Sequence, residues 1–135
     1  MQPTICRFDP AAEYFTPEQC FINELANMEA DAAISIARAR VQVGVQTRWH
    51  LLRDITERYV IGAGRGCVEV GDLPAQEVGP GDVVVIPPGV RQRIASVGDV
   101  DLVFLAVCTP RFVQTAYVDV DVDSGAAVDS AAARP

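Results

Sequence analysis

One histidine and a few polar side chains near it carry most of the chemistry that this sequence offers. His50 is the only histidine in the chain, and Glu57 follows it closely. A neutral imidazole and a carboxylate are both good ligands for Fe, Mn, Zn or Ni. The same two groups also suit acid–base catalysis, because an imidazole exchanges protons near neutral pH. The sequence therefore predicts a metal site or a proton-transfer site around these two residues.

Alternation along short strands decides which other side chains share a face with the histidine. Residues i and i+2 of a strand point the same way, so Arg48, His50 and Leu52 share one face. Glu57 and Tyr59 share a face by the same rule. An arginine beside the histidine is a candidate fork for a carboxylate, phosphate or enolate, and a surface ion pair is the alternative. Tyr59 is a candidate for substrate binding.

Turn signals cut the chain into many short segments, and most of these segments alternate as β-strands do. The apolar run Val83–Ile86 predicts a strand buried on both faces, while Cys67 and Cys108 are predicted to be buried core thiols. A helix is the alternative for residues 34–43, because Ala and Arg are good helix formers. Many short strands without a long helix favour a barrel or a sandwich. The strands expected are 34–43, 48–52, 57–61, 67–70, 83–86, 91–95 and 101–108.

Composition divides the chain into three parts and excludes several classes of function. Residues 1–33 are expected to form an N-terminal arm with an edge strand at Cys20–Leu25, and residues 34–117 the barrel. Residues 118–135 are expected to form an acidic, disordered tail, although their Val-Asp alternation also fits a charged edge strand. The net charge is −7 and every basic residue is arginine, in no basic run, so nucleic-acid binding is not expected.

The cysteines and the hydropathy pattern predict where the protein resides. Four cysteines are scattered without the spacing of a zinc site, and no apolar run is long enough to span a membrane. The start of the chain has no apolar stretch of signal-peptide length. We therefore expect a cytoplasmic protein with reduced thiols and no membrane partner.

The spacing of two motifs resembles that of the cupin superfamily. The first cupin motif runs glycine, His-x-His, glutamate, glycine, and the second runs glycine, Pro-x-Gly, histidine, asparagine. This chain departs from the motifs at three positions, where Leu52, Gln92 and Ser96 replace two histidines and the asparagine. The positions that match the spacing are Gly44, His50, Leu52, Glu57, Gly64, Gly81, Pro87, Gly89, Gln92 and Ser96.

This resemblance implies an all-β fold, a small barrel of the double-stranded β-helix or jelly-roll type. It also implies that His50, Glu57 and Gln92 point into one pocket. A cupin usually holds a divalent metal with three histidines and one glutamate; here the ligands implied are His50, Glu57 and Gln92, with Fe, Mn, Zn or Ni as the candidate metals or no metal at all. Single-domain cupins are usually homodimers that pair N-terminal strands, which implies the same here.

Two functions are consistent with these residues. The first is an enzyme acting on a small, anionic organic molecule, with His50 and Glu57 as catalytic groups and Arg48, Tyr59 and Gln92 binding substrate. The resemblance implies dioxygenase, isomerase, lyase or polyketide-cyclase chemistry with a metal, and proton-transfer isomerisation or cyclisation without one. The second is a non-catalytic cupin that binds a small ligand and lacks a functional metal site. The sequence leaves open whether the protein is an enzyme.

Overall fold

The computed structural model describes residues 1–121, and nearly all of its regular structure is β-strand. Two short 3₁₀ turns, at Pro10–Ala12 and Gln114–Ala116, are the only helical segments in that part of the chain. The strands are β1 (Tyr14–Phe15), β2 (Phe21–Ala26), β3 (Ser35–Val41), β4 (His50–Leu52), β5 (Thr56–Ala63), β6 (Gly66–Val70), β7 (Gln76–Val78), β8 (Val83–Ile86), β9 (Gln92–Ser96), β10 (Leu102–Thr109) and β11 (Tyr117–Asp119).

The strands form two antiparallel sheets, and the buried hydrophobic residues form two clusters. One sheet has six strands in the order β1-β2-β3-β10-β5-β8, and the other has five in the order β11-β4-β9-β6-β7. Consecutive strands often lie in different sheets, as they do when a jelly roll wraps its strands around a core. The larger cluster contains residues of both sheets, among them Ile61 and Phe104 from the first and Val68 and Ile94 from the second. The predicted all-β barrel is confirmed.

Alternating burial along the strands follows the period of two in the sequence. In β3 the residues Ser35, Ala37, Ala39 and Val41 are buried, while the side chains between them are partly exposed. The pattern is the same along the whole of β10. Residues 34–43 therefore contain a strand rather than the alternative helix, because every second side chain lies on one buried face.

Two predictions about burial were wrong, and one strand was missed. Val83 and Val85 are 56% and 59% exposed, because β8 is an edge strand whose outer face nothing in residues 1–121 covers. Cys67 is only half-buried, since it lies on the outer face of β6, while Cys108 is buried as predicted. The strand β7 was not predicted, and all three of its residues have polar or partly exposed side chains.

The tail begins later than the composition predicted. Instead of disorder from residue 118, the segment Tyr117–Asp119 forms β11 and pairs with β4. The Val-Asp alternation is thus an edge strand here, as its alternative interpretation proposed. The rest of the predicted tail, residues 122–135, lies outside the described residues.

The N-terminal arm is held against β3 by an ion-pair network. Glu13 accepts hydrogen bonds from Arg40 at 2.5 Å and from Arg38 at 3.2 Å. The hydrogen bond from Arg40 lowers the pKa of the Glu13 carboxyl, and the charges of Arg40 and Arg38 add to that effect. β2, which corresponds to the predicted strand at Cys20–Leu25, lies between β1 and β3 in the sheet. The edge of this sheet is therefore β1 and not the predicted strand.

None of the helical segments within residues 1–121 is long and apolar enough to cross a membrane.

Candidate functional site

His50, Glu57 and Tyr59 line one small chamber between the two sheets. The chamber leaves about 10 Å³ for the centres of water molecules, which is room for about one water. His50 and Glu57 are 3% and 1% exposed, so their polar groups are removed from bulk solvent. The residues that line the chamber are Glu18, Cys20, Ile22, Ala39, Thr47, His50, Glu57, Tyr59, Phe104 and Ala106.

The imidazole of His50 is oriented by its own strand. Nδ1 lies 2.7 Å from the backbone carbonyl oxygen of Arg48. Because a carbonyl oxygen only accepts, Nδ1 carries the proton of that hydrogen bond. In the neutral ring Nε2 is therefore the basic nitrogen. Tyr117 of β11 stacks on the imidazole, with ring centroids 5.1 Å apart and 15° between the planes, and so fixes the plane of the ring.

Glu18 is the partner of that basic nitrogen, and the sequence analysis did not find it. Its Oε2 lies 3.5 Å from His50 Nε2, and both side chains are almost completely buried. The thiol of Cys20 donates to the other carboxylate oxygen at 3.4 Å. The backbone N–H of Arg48 donates to the Glu18 carbonyl at 3.1 Å, which fixes the two segments together.

A tight turn between β1 and β2 directs Glu18 into the barrel. Thr16 closes this turn, because its backbone N–H and its hydroxyl both donate to the Cys20 carbonyl, each at 2.9 Å. Gln19 takes a left-handed conformation with φ 74°, which reverses the chain. The signal that could have found Glu18 is a period of two, since Glu18, Cys20 and Ile22 all face the chamber.

Glu57 lies on β5, between β10 and the edge strand β8. It pairs in register with Ile86 of β8 and Cys108 of β10. The Cys108 thiol lies 3.7 Å from Glu57 Oε2, within the range of a weak S–H···O hydrogen bond. The chamber thus contains two buried carboxyl groups, Glu18 and Glu57, and one imidazole.

Tyr59 and Gln92 connect the two sheets across the lumen. The Tyr59 hydroxyl donates to Gln92 Oε1. Gln92 is completely buried, and its Nε2 has no hydrogen-bond partner among the described residues. Both residues point inward, as the strand alternation and the cupin spacing predicted, and Gln92 pairs in register with His50.

Arg48 is not among the side chains that line the chamber. Its guanidinium makes an ion pair with Asp119 of β11, with Nε 2.7 Å from Oδ2. The alternative of an ion pair therefore describes Arg48 better than the predicted anion fork. Arg91 and Arg93 point outward, where their guanidinium groups lie 4.5 Å and 4.3 Å from the ring centroid of Trp49.

A comparison with models of known protein families agrees with this fold. The family model of the cupin domain matches residues 37–108, more than half of the chain. The protein belongs to the cupin family, as its two motifs indicated. Cupins commonly bind a divalent metal.

Solved structures of cupins share this fold at low sequence identity. The nucleoside dehydratase Pac13 superposes with a TM-score of 0.70 at 15% identity, over 85% of this chain and 90% of that one. A predicted oxalate decarboxylase from Thermotoga maritima has a TM-score of 0.62 at 27% identity, over 67% and 80%. An RmlC-like cupin with a double-stranded β-helix fold from Methanocaldococcus jannaschii has a TM-score of 0.63 at 19% identity, over 82% and 94%. A search of curated proteins found no match to the chain.

The three predicted metal ligands, His50, Glu57 and Gln92, do not fit a cupin metal. The carbonyl oxygen of Gln92, its only metal-binding atom and a weak donor, also accepts the hydrogen bond from Tyr59. Leu52, at the position of the second histidine, packs in an apolar cluster with Cys108 and Tyr117. Within residues 1–121 no three His, Cys, Asp or Glu side chains are arranged to hold a metal ion.

Proposed function

We propose that this cupin is an enzyme that moves protons on a small organic molecule, as an isomerase or a lyase would. The observation that carries this proposal is the pair of His50 Nε2 and Glu18 Oε2, 3.5 Å apart and buried in one chamber. Enclosed acid–base pairs of this kind transfer protons without competition from bulk water. No metal takes part in the proposed steps, because the donor set of this chain does not fit one.

His50 is the proposed general base. Its Nδ1–H donates to the Arg48 carbonyl, so the lone pair of Nε2 is available to take a proton from the substrate. The Glu18 carboxylate then accepts a hydrogen bond from the new Nε2–H and stabilises the imidazolium.

Glu57 is the proposed general acid. In an isomerisation, a protonated Glu57 returns a proton to another atom of the substrate; in an elimination, it protonates a departing hydroxyl group as water. His50 gains one proton and Glu57 loses one in either case, so one proton must pass from the His50 imidazolium to the Glu57 carboxylate before the next turnover.

The charges of the chamber favour an uncharged ligand over the anion that the sequence suggested. Two carboxyl groups and one imidazole line the chamber, and no arginine does. Arg48, the candidate anion fork, is paired with Asp119. A carboxylate or phosphate group would meet the Glu18 carboxylate at close range in a low dielectric, which is unfavourable. We therefore propose a hydroxyl or carbonyl group as the polar part of the ligand.

Deuterium exchange tests this function without knowledge of the natural substrate. The protein is incubated in D₂O with a panel of small neutral hydroxyketones, and incorporation of deuterium beside the carbonyl is followed by NMR. Wild-type protein should accelerate exchange in one or more of them. His50→Gln should lower the enzymatic rate by about 100-fold or more, and Glu18→Gln by a smaller factor. Glu77→Gln, an exposed glutamate outside the chamber, is the matched control and should exchange at the wild-type rate.

Two results would contradict the proposal. Exchange that persists in His50→Gln would exclude His50 as the base. Binding of panel members without any exchange by the wild-type protein would favour the alternative, a non-catalytic cupin that binds a small ligand.

We also propose that the protein is a homodimer formed through its N-terminal arm. The arm exposes apolar side chains that a single copy leaves in solvent, since Met1, Ile5 and Phe8 are 78%, 72% and 58% exposed. It continues into β1, the edge strand of the six-stranded sheet. A second copy packed there would cover both the apolar side chains and the sheet edge.

A further inference from the structure

A second cavity, the side cleft, opens beside the barrel at the edge strands β7 and β8. Its volume is about 220 Å³, far more than that of the chamber. Seven of the residues that line it are aliphatic side chains of β6, β7, β8 and the loop after β6, and its lining contains no charged residue. These seven are Val68, Val70, Leu73, Val78, Val83, Val84 and Val85.

The strand register places the side cleft and the chamber on opposite sides of one hydrogen bond. On the first sheet, Val84 of the side cleft pairs with Tyr59, and Tyr59 pairs with Ala106 of the chamber. On the second sheet, Val70 of the side cleft pairs with Gln92. Because paired residues of a sheet point to the same side, the Tyr59–Gln92 hydrogen bond lies between the two cavities.

On the chamber side of this hydrogen bond, His50 is the next residue in the same row of paired residues. It pairs in register with Gln92, which in turn pairs with Val70. The layer formed by Tyr59 and Gln92 therefore lies between the side cleft and the imidazole. We call this layer the partition.

We propose that the side cleft and the chamber are two parts of one binding site for a small amphipathic molecule. The apolar body of this molecule lies in the side cleft, and its uncharged polar group reaches His50 when the partition opens. This inference rests on the proposed function, because it takes the chamber as the reactive centre. It adds the substrate class, which is a largely apolar compound with a hydroxyl or carbonyl group.

Two observations support the connection of the cavities. The chamber has room for about one water, so the body of any organic substrate must lie outside it. Gln92 Nε2 is a buried donor at the partition without a partner among residues 1–121. A buried donor of this kind is costly to leave unsatisfied, and an incoming hydroxyl or carbonyl oxygen would satisfy it.

The test uses primary alcohols of increasing length, from 1-butanol to 1-octanol, as probes. Affinity is measured by titration, and the ring signals of His50 are followed by NMR in the same samples. Each added methylene should tighten binding by about two- to fourfold while it enters the side cleft. At saturation the His50 ring signals should shift, because the hydroxyl group has reached the chamber.

Paired substitutions locate the binding. Val85→Asp and Leu73→Asp place a charge in the side cleft at positions that are 59% and 65% exposed, so both variants should fold. Each should weaken binding of 1-octanol by about tenfold. Val100→Asp is the matched control, since Val100 is 56% exposed and does not line the side cleft. It should bind 1-octanol as the wild type does.

Three results would overturn the inference. Affinity that does not depend on chain length would exclude the side cleft as the apolar subsite, and so would equal weakening by Val100→Asp. Saturable binding that leaves the His50 signals unmoved would show two separate cavities. Failure of the proposed function gives a different result. Deuterium exchange would persist in His50→Gln, while the alcohol-binding results would remain as predicted here.

Discussion

His50, the single histidine, is oriented by groups that differ in chemical character. A backbone carbonyl binds its Nδ1–H, a buried carboxylate faces its Nε2, and an aromatic ring covers its face. The carbonyl and the ring fix the tautomer and the plane, and the carboxylate of Glu18 supplies the charge. This division lets Nε2 change its protonation state without a change of orientation, which acid–base catalysis requires.

The hydrogen bond between Tyr59 and Gln92 should contribute measurably to stability. Tyr59→Phe removes the donor to Gln92 Oε1 and leaves a buried acceptor, so the free energy of unfolding should fall by about 1–3 kcal/mol. Urea denaturation measures this loss.

A double-mutant cycle separates the hydrogen bond from other effects of the Tyr59 substitution. In a Gln92→Leu background the acceptor is absent, so Tyr59→Phe should cost much less than it does in the wild type. An equal cost in both backgrounds would show that the Tyr59 hydroxyl stabilises the fold through other contacts.

For single residues, strand alternation and motif spacing predict which side chains point into the barrel. They do not predict contacts between residues that are far apart in the sequence. His50, Glu57 and Gln92 point inward because the motif spacing follows the alternation of three strands. Glu18 comes from a turn outside both motifs, and its approach to His50 depends on the pairing of β2 with β3. The anion-binding role of Arg48 was predicted without its partner Asp119, which lies in a segment that composition marked as disordered.

Among the elements, the N-terminal segment positions the second half of the acid–base pair. The network of Glu13 with Arg38 and Arg40 holds the arm on β3, and the turn after β1 then places Glu18 beside His50. An element outside the family match at residues 37–108 therefore supplies a residue of the candidate site.

The Glu13 network should stabilise the fold in a pH-dependent way. The hydrogen bond from Arg40 lowers the pKa of Glu13 in the folded protein below its unfolded value. The stabilisation is therefore complete above the unfolded pKa and is lost as the pH falls through the folded pKa. At about pH 7, Glu13→Gln should lower the free energy of unfolding by about 1 kcal/mol, and the difference should shrink at about pH 3.

Denaturation of Glu13→Gln and Glu77→Gln at both pH values checks this prediction. Glu77 is exposed and lies 3.8 Å from Arg65, so its substitution should have little effect at either pH. A cost of Glu13→Gln that stays constant with pH would contradict an electrostatic origin.

Strand alternation predicted most elements of the barrel, and edge strands account for the main errors. β8 has the apolar sequence of a strand buried on both faces, yet its position at the sheet edge leaves two valines exposed. β7 and β11 are short and carry polar or charged residues, so their sequences resemble loops. Only their pairing partners, β6 and β4, make them strands.

For the whole molecule, the proposed homodimer predicts a defined change on substitution of the arm. Wild-type protein should sediment as a dimer. Replacement of both Ile5 and Phe8 by serine removes two exposed apolar side chains from the arm and should produce a folded monomer. A monomeric wild type, or a variant that remains dimeric, would contradict the proposed interface.

The proposed metal-free chemistry predicts a low metal content. After incubation with Fe, Mn, Zn and Ni and removal of loosely bound ions, elemental analysis should find far less than one metal ion per chain. Stoichiometric metal that is lost in His50→Gln would contradict this account and would restore the ligand set implied by the cupin motifs.

The tautomer of His50 tests the central claim most directly. Because the chain has a single histidine, the ring nitrogens of tag-free, ¹⁵N-labelled protein give one set of signals. The account predicts that in the neutral ring Nδ1 carries the proton and Nε2, which faces Glu18, is bare. A neutral ring with the proton on Nε2 would leave no basic nitrogen of His50 facing the chamber and would contradict the proposed role of His50.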